Sequence, residues 1–324
     1  MKTSQRSRQW LLIAVLATVN PLHLAWPADG QTPTSVDCRY WTPGVPPPST
    51  ISSSREATTV PFPQDDVFRP LVADPKQPQF FLSYQRMRFR DVGRSINAGV
   101  VGAGETFGLW SRRSGACDGL QVSVHGGVFA QFNLDAPSSD LINTDYIVGI
   151  PATWRQGPFS ARVRLYHQSS HLGDEFLLRN PSITRVNLSF EELDALLSYD
   201  LSWARVSWAR IYGGGGYLFH REPDLDRSKL QWGIEFSPPD RPSPIFRRII
   251  EDLRMVPIVG ADFKSIEQLA WNVNTNIVAG LGWYHPGSSR RVRLLFNYYH
   301  GVNPYGQFFN QKIEMFGGGL YLTF

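Results

Sequence analysis

From residue 79 onward the chain repeats one pattern, in which apolar and polar side chains alternate over runs of about ten residues. Leu120, Val122, Val124, Val128, Ala130 and Phe132 share one parity, while Gln121, Ser123, His125 and Gln131 hold the other. Period two places successive side chains on opposite faces of an extended strand, so each run has one apolar and one polar face. The pattern returns in Tyr146, Val148, Ile150, Ala152 and Trp154, and in Phe159, Ala161, Val163 and Leu165 against Ser160, Arg162, Arg164 and Tyr166. It returns again in Leu193, Ala195, Leu197, Tyr199 and Leu201, in Leu230, Trp232, Ile234 and Phe236, and in Val273, Thr275, Ile277, Ala279 and Leu281. Strands of soluble sandwiches alternate too, but they average about five or six residues. A tilted strand that crosses a bilayer needs about nine to eleven. Trp154, Trp203, Trp208, Trp271, Trp283 and Tyr284 gather near the ends of the runs, where interfacial girdles would sit. The expected fold is all-β, an antiparallel transmembrane up-and-down β-barrel.

Runs near 79–90, 94–110, 119–133, 143–155, 158–171, 192–203, 205–219, 228–237, 257–266, 272–284, 290–301 and 312–324 predict about twelve strands, an even number as such barrels require. With both termini periplasmic, residues 155–158, 201–205 and 286–290 become short inner turns, and 134–144, 172–187, 220–228 and 301–311 become longer outer loops. One inner connection is long, 238–256, and its Phe246, Ile249, Ile250 and Leu253 at helical spacing predict a short amphipathic surface helix.

The ends of the chain point to export. Lys2, Arg6 and Arg8 precede an apolar run from Trp10 to Val19, followed by small residues near Ala25 and Ala28, the order of a cleaved secretory signal over residues 1–28. The run is about half of what a spanning helix needs. Residues 29–75, rich in Pro, Ser and Thr, cannot bury enough apolar surface to fold alone and read as a periplasmic leader ahead of a barrel over 76–324. Two cysteines, Cys38 and Cys117, either pair in an oxidising compartment or stay as thiols. A formal charge of +4 without basic tracts gives no nucleic-acid footprint.

The densest polar cluster runs from Tyr166 to Phe176. His167 and Ser169 continue the apolar row of Phe159, Ala161, Val163 and Leu165, and so face lipid at the outer rim. They lie about 6.6 Å apart along a strand, within reach of a base and nucleophile pair, with Asp174 or Glu175 to orient the histidine. Ordinary rim polarity is the other reading of the same residues. Four inward arginines, Arg162, Arg164, Arg291 and Arg293, suit an anion-preferring channel, unless side chains fill the lumen. Further outer clusters are Asp135, Ser138, Asp140 and Asn143; His220, Arg221, Glu222 and Asp224; and His300, Asn303, Tyr305 and Gln307. The glycines at 213–216 lack a following Lys-Ser/Thr, and His167 and His171 are too far apart on a strand to share an ion. No cofactor and no metal are expected.

The final strand has Phe316, Leu320, Leu322 and Phe324 on one parity and ends on an aromatic residue. It resembles the terminal strand by which bacterial outer-membrane proteins are recognised by the barrel-assembly machinery, and implies that partner. The His-x-Ser pair is similar to the arrangement in outer-membrane phospholipase and lipid A deacylase barrels, with Ser170 where those enzymes tend to have Asn. The runs FAQFNLDAPSSDLIN at 129–143, YHQSSHLGDEF at 166–176, GGGGYLFHREP at 213–223 and YHGVNPYGQF at 299–308 resemble a family of bacterial exported proteins of unknown function. That resemblance covers about 65–324 and implies an outer-membrane barrel; with the final strand ending on the periplasmic side, the His-Ser rim is expected to face membrane lipids and lipopolysaccharide. It leaves three activities open: lipid ester hydrolysis, a solute channel or binding barrel, and a passive structural barrel.

Overall fold

The protein is represented by a computed structural model that describes Cys38 and residues 57–324, apart from 116, 182, 184, 204–205, 239–240, 246–248, 287 and 289 and the side chains of 202–208. Residues 1–28 and the leader up to 56, Cys38 excepted, lie outside the described residues.

Fourteen strands are described. Twelve close the barrel: β2 (Phe80–Phe89), β3 (Ser95–Arg113), β4 (Gly119–Asn133), β5 (Asp140–Gln156), β6 (Phe159–Leu172), β7 (Leu188–Trp203), β8 (Val206–Glu222), β9 (Ser228–Ser237), β11 (Arg254–Ile266), β12 (Val273–Tyr284), β13 (Arg291–Val302) and β14 (Lys312–Thr323). Each pairs antiparallel with its neighbours, β14 pairs with β2, and β3 with β4, which leaves no open edge. Two short strands lie at the end of the barrel where β14 finishes, here the turn end: β1 (Thr58–Pro61) on β3 and β10 (Arg241–Pro242) on β11. Phe324 sets its ring edge-on against Phe80 at 5.2 Å, beside the β14–β2 pairing.

Burial inverts the arrangement of a soluble protein. The apolar parity faces out, with Leu197 70% and Ile150 55% exposed, while Gln121, Arg155, Arg210 and Glu235 are buried inside. Only a hydrocarbon surround makes such a surface favourable, because each apolar side chain left in water forfeits about 25 cal/mol per Å². Trp154 near the turn end and Trp271 near the loop end stand on the outer surface.

Two segments add to what the periodicity shows. The expected helix is not seen in 249–253, where 249, 251 and 252 are turns and 250 a bend, and its remaining part at 246–248 lies outside the described residues. Residues 63–79, on either side of the expected boundary at 75, run along the inward side chains of the barrel. Arg155 Nε donates to Val67 O at 3.0 Å and Arg210 Nη1 to Arg69 O at 2.8 Å. Val72 N donates to Glu235 Oε1 at 2.6 Å, and Asn276 Nδ2 to Ala73 O at 2.7 Å. A Pro-rich segment unable to fold alone is folded by the polar wall that surrounds it. Cys38 and Cys117 form a buried disulfide next to this segment, and Arg113 binds both Cys38 Sγ and Asp65.

At the loop end, a helix α1 (Asp174–Arg179) follows β6, and residues 303–309 fold inward with Tyr305, Gly306, Gln307 and Phe308 buried. Gly306 N donates to Asp145 Oδ2 at 3.0 Å, and Gln307 Nε2 to Ser170 O at 2.8 Å. A Cβ at Gly306 would collide with Ser170 Oγ and Asp145 Oδ1, so this approach requires glycine.

Candidate functional site

Strand β6 carries the candidate residues in strict alternation. Ser160, Arg162, Arg164, Tyr166, Gln168 and Ser170 are buried toward the lumen, and Val163 and Leu165 are exposed on the other face. His167 and Ser169 share that outer face, near the loop end of the strand. The β6–β7 register sets His167 opposite Glu191 and Ser169 opposite Ser189. His167 Nδ1 lies 2.8 Å from Glu191 Oε1, and the second oxygen of Glu191 lies 2.7 Å from Nδ1 of His220 on β8. One carboxylate thus holds two imidazoles on the outer surface, and among the described residues no hydrogen bond occupies His167 Nε2. No hydrogen bond joins Ser169 to His167 among the described residues. Around the cluster, Tyr146, Val148, Leu193, Tyr217 and Phe219 are exposed, an apolar field for lipid.

Asp174 and Glu175 do not take the orienting position. They open α1, exposed, where acidic residues suit a helix N-terminus, and no hydrogen bond joins them to His167 among the described residues. The carboxylate that reaches His167 comes instead from the adjacent strand. Glu191 lies on the same parity as Leu193, Ala195 and Leu197, and an acid on the lipid-facing row of a spanning strand was the signal that marked it.

The four arginines lie on the inner parity, but they are engaged. Arg164 Nε donates to Asp194 Oδ2 at 3.0 Å, and Arg162 lies 3.7 Å from the same carboxylate with its guanidinium over Phe68. Arg293 donates to Gln79 Oε1 at 2.9 Å, and Arg291 stacks over Tyr284 at 4.2 Å. Asp194 thus serves both Arg162 and Arg164, while a neutral amide holds Arg293 and an aromatic ring faces Arg291. Of the outer clusters, Asn143 and Gln307 meet, with Gln307 N donating to Asn143 Oδ1 at 3.3 Å. His220 joins Glu191, and His300 lies 3.0 Å from Arg90.

The model of the family described as "Protein of unknown function (DUF1207)" matches residues 48–324. The chain belongs to the DUF1207 family. No curated protein matches it in sequence. In structure, this DUF1207 member is similar to the Salmonella typhi outer membrane phospholipase, solved as a dimer with bound calcium, with TM-score 0.50 and 13% identity over 77% of this chain and 93% of that one. It is similar to the Escherichia coli outer membrane phospholipase A, solved as an active-site mutant, with TM-score 0.51 and 13% identity over 79% and 93%. LpxR from Salmonella typhimurium gives TM-score 0.39 and 11% identity over 75% and 100%. At such identities the likeness shows the fold, a twelve-stranded outer-membrane barrel, and leaves the chemistry of the DUF1207 member to its own residues.

Proposed function

We propose that the protein hydrolyses an ester bond of a membrane lipid at the outer surface of β6 and β7. The observation that carries this reading is the 2.8 Å contact between His167 Nδ1 and Glu191 Oε1 on a lipid-facing surface. A carboxylate there keeps the proton on Nδ1 and the lone pair on Nε2, so that the imidazole serves as a general base. Ser169, two residues along the same face, is the nucleophile. As Ser169 Oγ attacks the ester carbonyl carbon, His167 Nε2 takes the hydroxyl proton, and the Glu191 charge stabilises the imidazolium. Collapse of the tetrahedral adduct returns that proton to the departing alcohol oxygen and leaves an acyl-serine. Water, deprotonated by His167 in turn, releases the fatty acid. Catalytic hydrogen bonds are often open without substrate and tighten in the complex, consistent with the absent Ser169–His167 bond. The exposed apolar residues around the cluster favour a substrate that arrives from the membrane plane. With the end of β14 on the periplasmic side, the site faces the outer leaflet and its lipopolysaccharide. The lumen favours this reading over a solute channel, because residues 63–79 and paired charges occupy it.

The test is fatty-acid release from phospholipid in mixed micelles by purified protein. Ser169→Ala and His167→Ala should abolish it, and Glu191→Ala should lower turnover by about 10²- to 10⁴-fold. Undiminished hydrolysis by a folded Ser169→Ala variant sinks the proposal.

A further inference from the structure

A second lipid-facing feature lies on β2, four strands along the barrel from His167. On the outward parity of β2 the side chains run Leu82, Tyr84, Arg86 and Arg88 from the turn end to the loop end, all exposed. That order follows depth in a bilayer, from hydrocarbon through the aromatic interface to the charged headgroups. The neighbouring strands extend the profile sideways. Leu82 lies opposite Leu320 and Arg86 opposite Phe316, which itself lies opposite Tyr298. Leu82 is 56% and Phe316 62% exposed, so an apolar wall stands directly below a basic rim.

The backbone gathers further cations at that rim. Phe89 N donates to Arg94 O at 2.8 Å and closes the turn from β2 to β3, and Arg90 N donates to Lys312 O at 2.9 Å, which joins the turn to β14. Arg90, Arg94 and Lys312 are exposed there, as Arg86 and Arg88 are. Three carboxylates share the area, and each is held by an uncharged donor. Asp91 accepts from Lys312 N at 3.3 Å, Glu314 from Tyr298 Oη at 2.9 Å, and Asp135 from Asn97 N at 2.8 Å and Nδ2 at 2.7 Å. The Asn97 bonds hold Asp135 below the ordinary carboxylate value, and Arg86 and Arg94 add to that effect. No ion pair joins any of the five cations to a carboxylate among the described residues, whereas elsewhere at this end Arg179 pairs with Asp140 at 2.9 Å and Arg221 with Asp224. Arg86 Nη1 donates instead to Asn97 Oδ1 at 3.1 Å, and Arg90 Nη1 to His300 Nε2 at 3.0 Å. Such bonds orient the guanidiniums without cancelling their charge.

Five cations against three carboxylates leave an excess of positive charge where lipid headgroups sit. A guanidinium presents a planar fork that matches phosphate bidentately. Arg86 and Arg88 are about 6.6 Å apart along the strand, and the turn and β14 set the other cations beyond them, so the rim has places for more than one phosphate. The wall below gains only from an occupant that also carries acyl chains. With the end of β14 on the periplasmic side, this rim lies in the outer leaflet.

We propose that Arg86, Arg88, Arg90, Arg94 and Lys312 bind a lipid of the outer leaflet whose head carries two phosphate groups, as lipid A does, with its acyl chains along Leu82, Phe316 and Leu320. The site is separate from His167 and Ser169 and does not depend on their chemistry.

The test is native mass spectrometry of the purified protein in non-ionic detergent, with Ser169→Ala in every sample so that no ester hydrolysis alters the ligand. Bisphosphorylated lipid A should bind about tenfold or more tighter than phosphatidylglycerol, and about fivefold tighter than monophosphorylated lipid A. A basic residue near an anionic lipid surface is worth about fivefold in binding, so Arg86→Gln with Arg88→Gln should weaken bisphosphorylated lipid A by about tenfold to thirtyfold. Arg179→Gln, at a rim arginine that is already paired, should leave binding unchanged. Sodium tripolyphosphate at equal phosphate, which has the charge without the chains, should not displace the lipid. The heat-dependent mobility of the folded barrel on gels is the control for all variants. Equal affinity for phosphatidylglycerol, unchanged binding by the folded double variant, an equal loss in Arg179→Gln, or full displacement by tripolyphosphate each overturns the proposal.

Discussion

Replacing Arg210 by methionine removes the centre of the grip on the inserted segment. Arg210 is fully buried, donates from Nε at 3.2 Å and Nη2 at 2.5 Å to Glu235 Oε2, and holds Arg69 O at 2.8 Å and Pro70 O at 3.0 Å. Glu235 in turn accepts from Val72 N at 2.6 Å. Methionine fills much of the volume, so the principal loss is electrostatic: the Glu235 carboxylate stays buried without its cation. Breaking one side of such a pair costs about 3–5 kcal/mol. Because the contacts belong to residues 69–72 and not to the barrel ladder, the loss should appear as local release of the segment rather than collapse of the barrel. Hydrogen exchange at the Val72 amide reads it directly, and protection should fall by about 10²- to 10⁴-fold while amides of β12 and β13 stay protected. A double variant, Arg210→Met with Glu235→Met, removes the orphaned charge as well. It should recover part of the loss, and what remains is about 1–3 kcal/mol for the unpaired Val72 N–H. If Arg210→Met leaves Val72 exchange unchanged, or if the double variant is the sum of the singles, buried ion pairing is not what seats the segment.

Three other outcomes follow from the same structure. Burial pushes the Asp66 carboxyl above its ordinary value, so the folded state keeps a proton that the unfolded chain has lost, and stability falls as pH rises through that window. Asp66→Asn retains the acceptor for Thr153 Oγ1 and Phe68 N, and should raise Tm at about pH 8 with little change near pH 4; an equal effect at both contradicts the assignment. Cys38 and Cys117 close a loop of sequence separation 79, so the Cys38→Ser, Cys117→Ser double variant should lose about 2–4 kcal/mol in urea unfolding, and no shift in midpoint refutes the expectation. Gly306→Ala drives a methyl against Ser170 and Asp145 and should unseat residues 303–309 at a cost of about 1–3 kcal/mol, read as faster exchange at the Gly306 and Gln307 amides; unchanged protection argues that the loop yields freely.

The parity of the runs was enough to place His167 and Ser169 on the lipid face and Arg162 and Arg164 in the lumen, because side-chain direction in a strand depends only on odd or even position. The partner of His167 was not legible in the same way. Asp174 and Glu175 are close in sequence, yet the turn after Leu172 carries them into α1, and the register of β6 on β7 brings Glu191 across from the next strand of the chain. The Cys38–Cys117 pair was likewise open in the sequence, since spacing carries no geometry, and only the fold brings the two Cα atoms to 5.2 Å.

The sequence by itself determined a twelve-stranded barrel, its closure near Phe324 and the face on which each spanning side chain sits, since strand length and period two are local properties of the chain. Only the tertiary structure decided what the lumen contains. Residues 63–79 have no pattern of their own, and their course is set by Arg155, Arg210, Glu235 and Asn276, which come from four different strands. Local periodicity shows that these groups point inward. Which of them meet, and which segment they hold, depends on barrel closure and register, a long-range property that no single run contains.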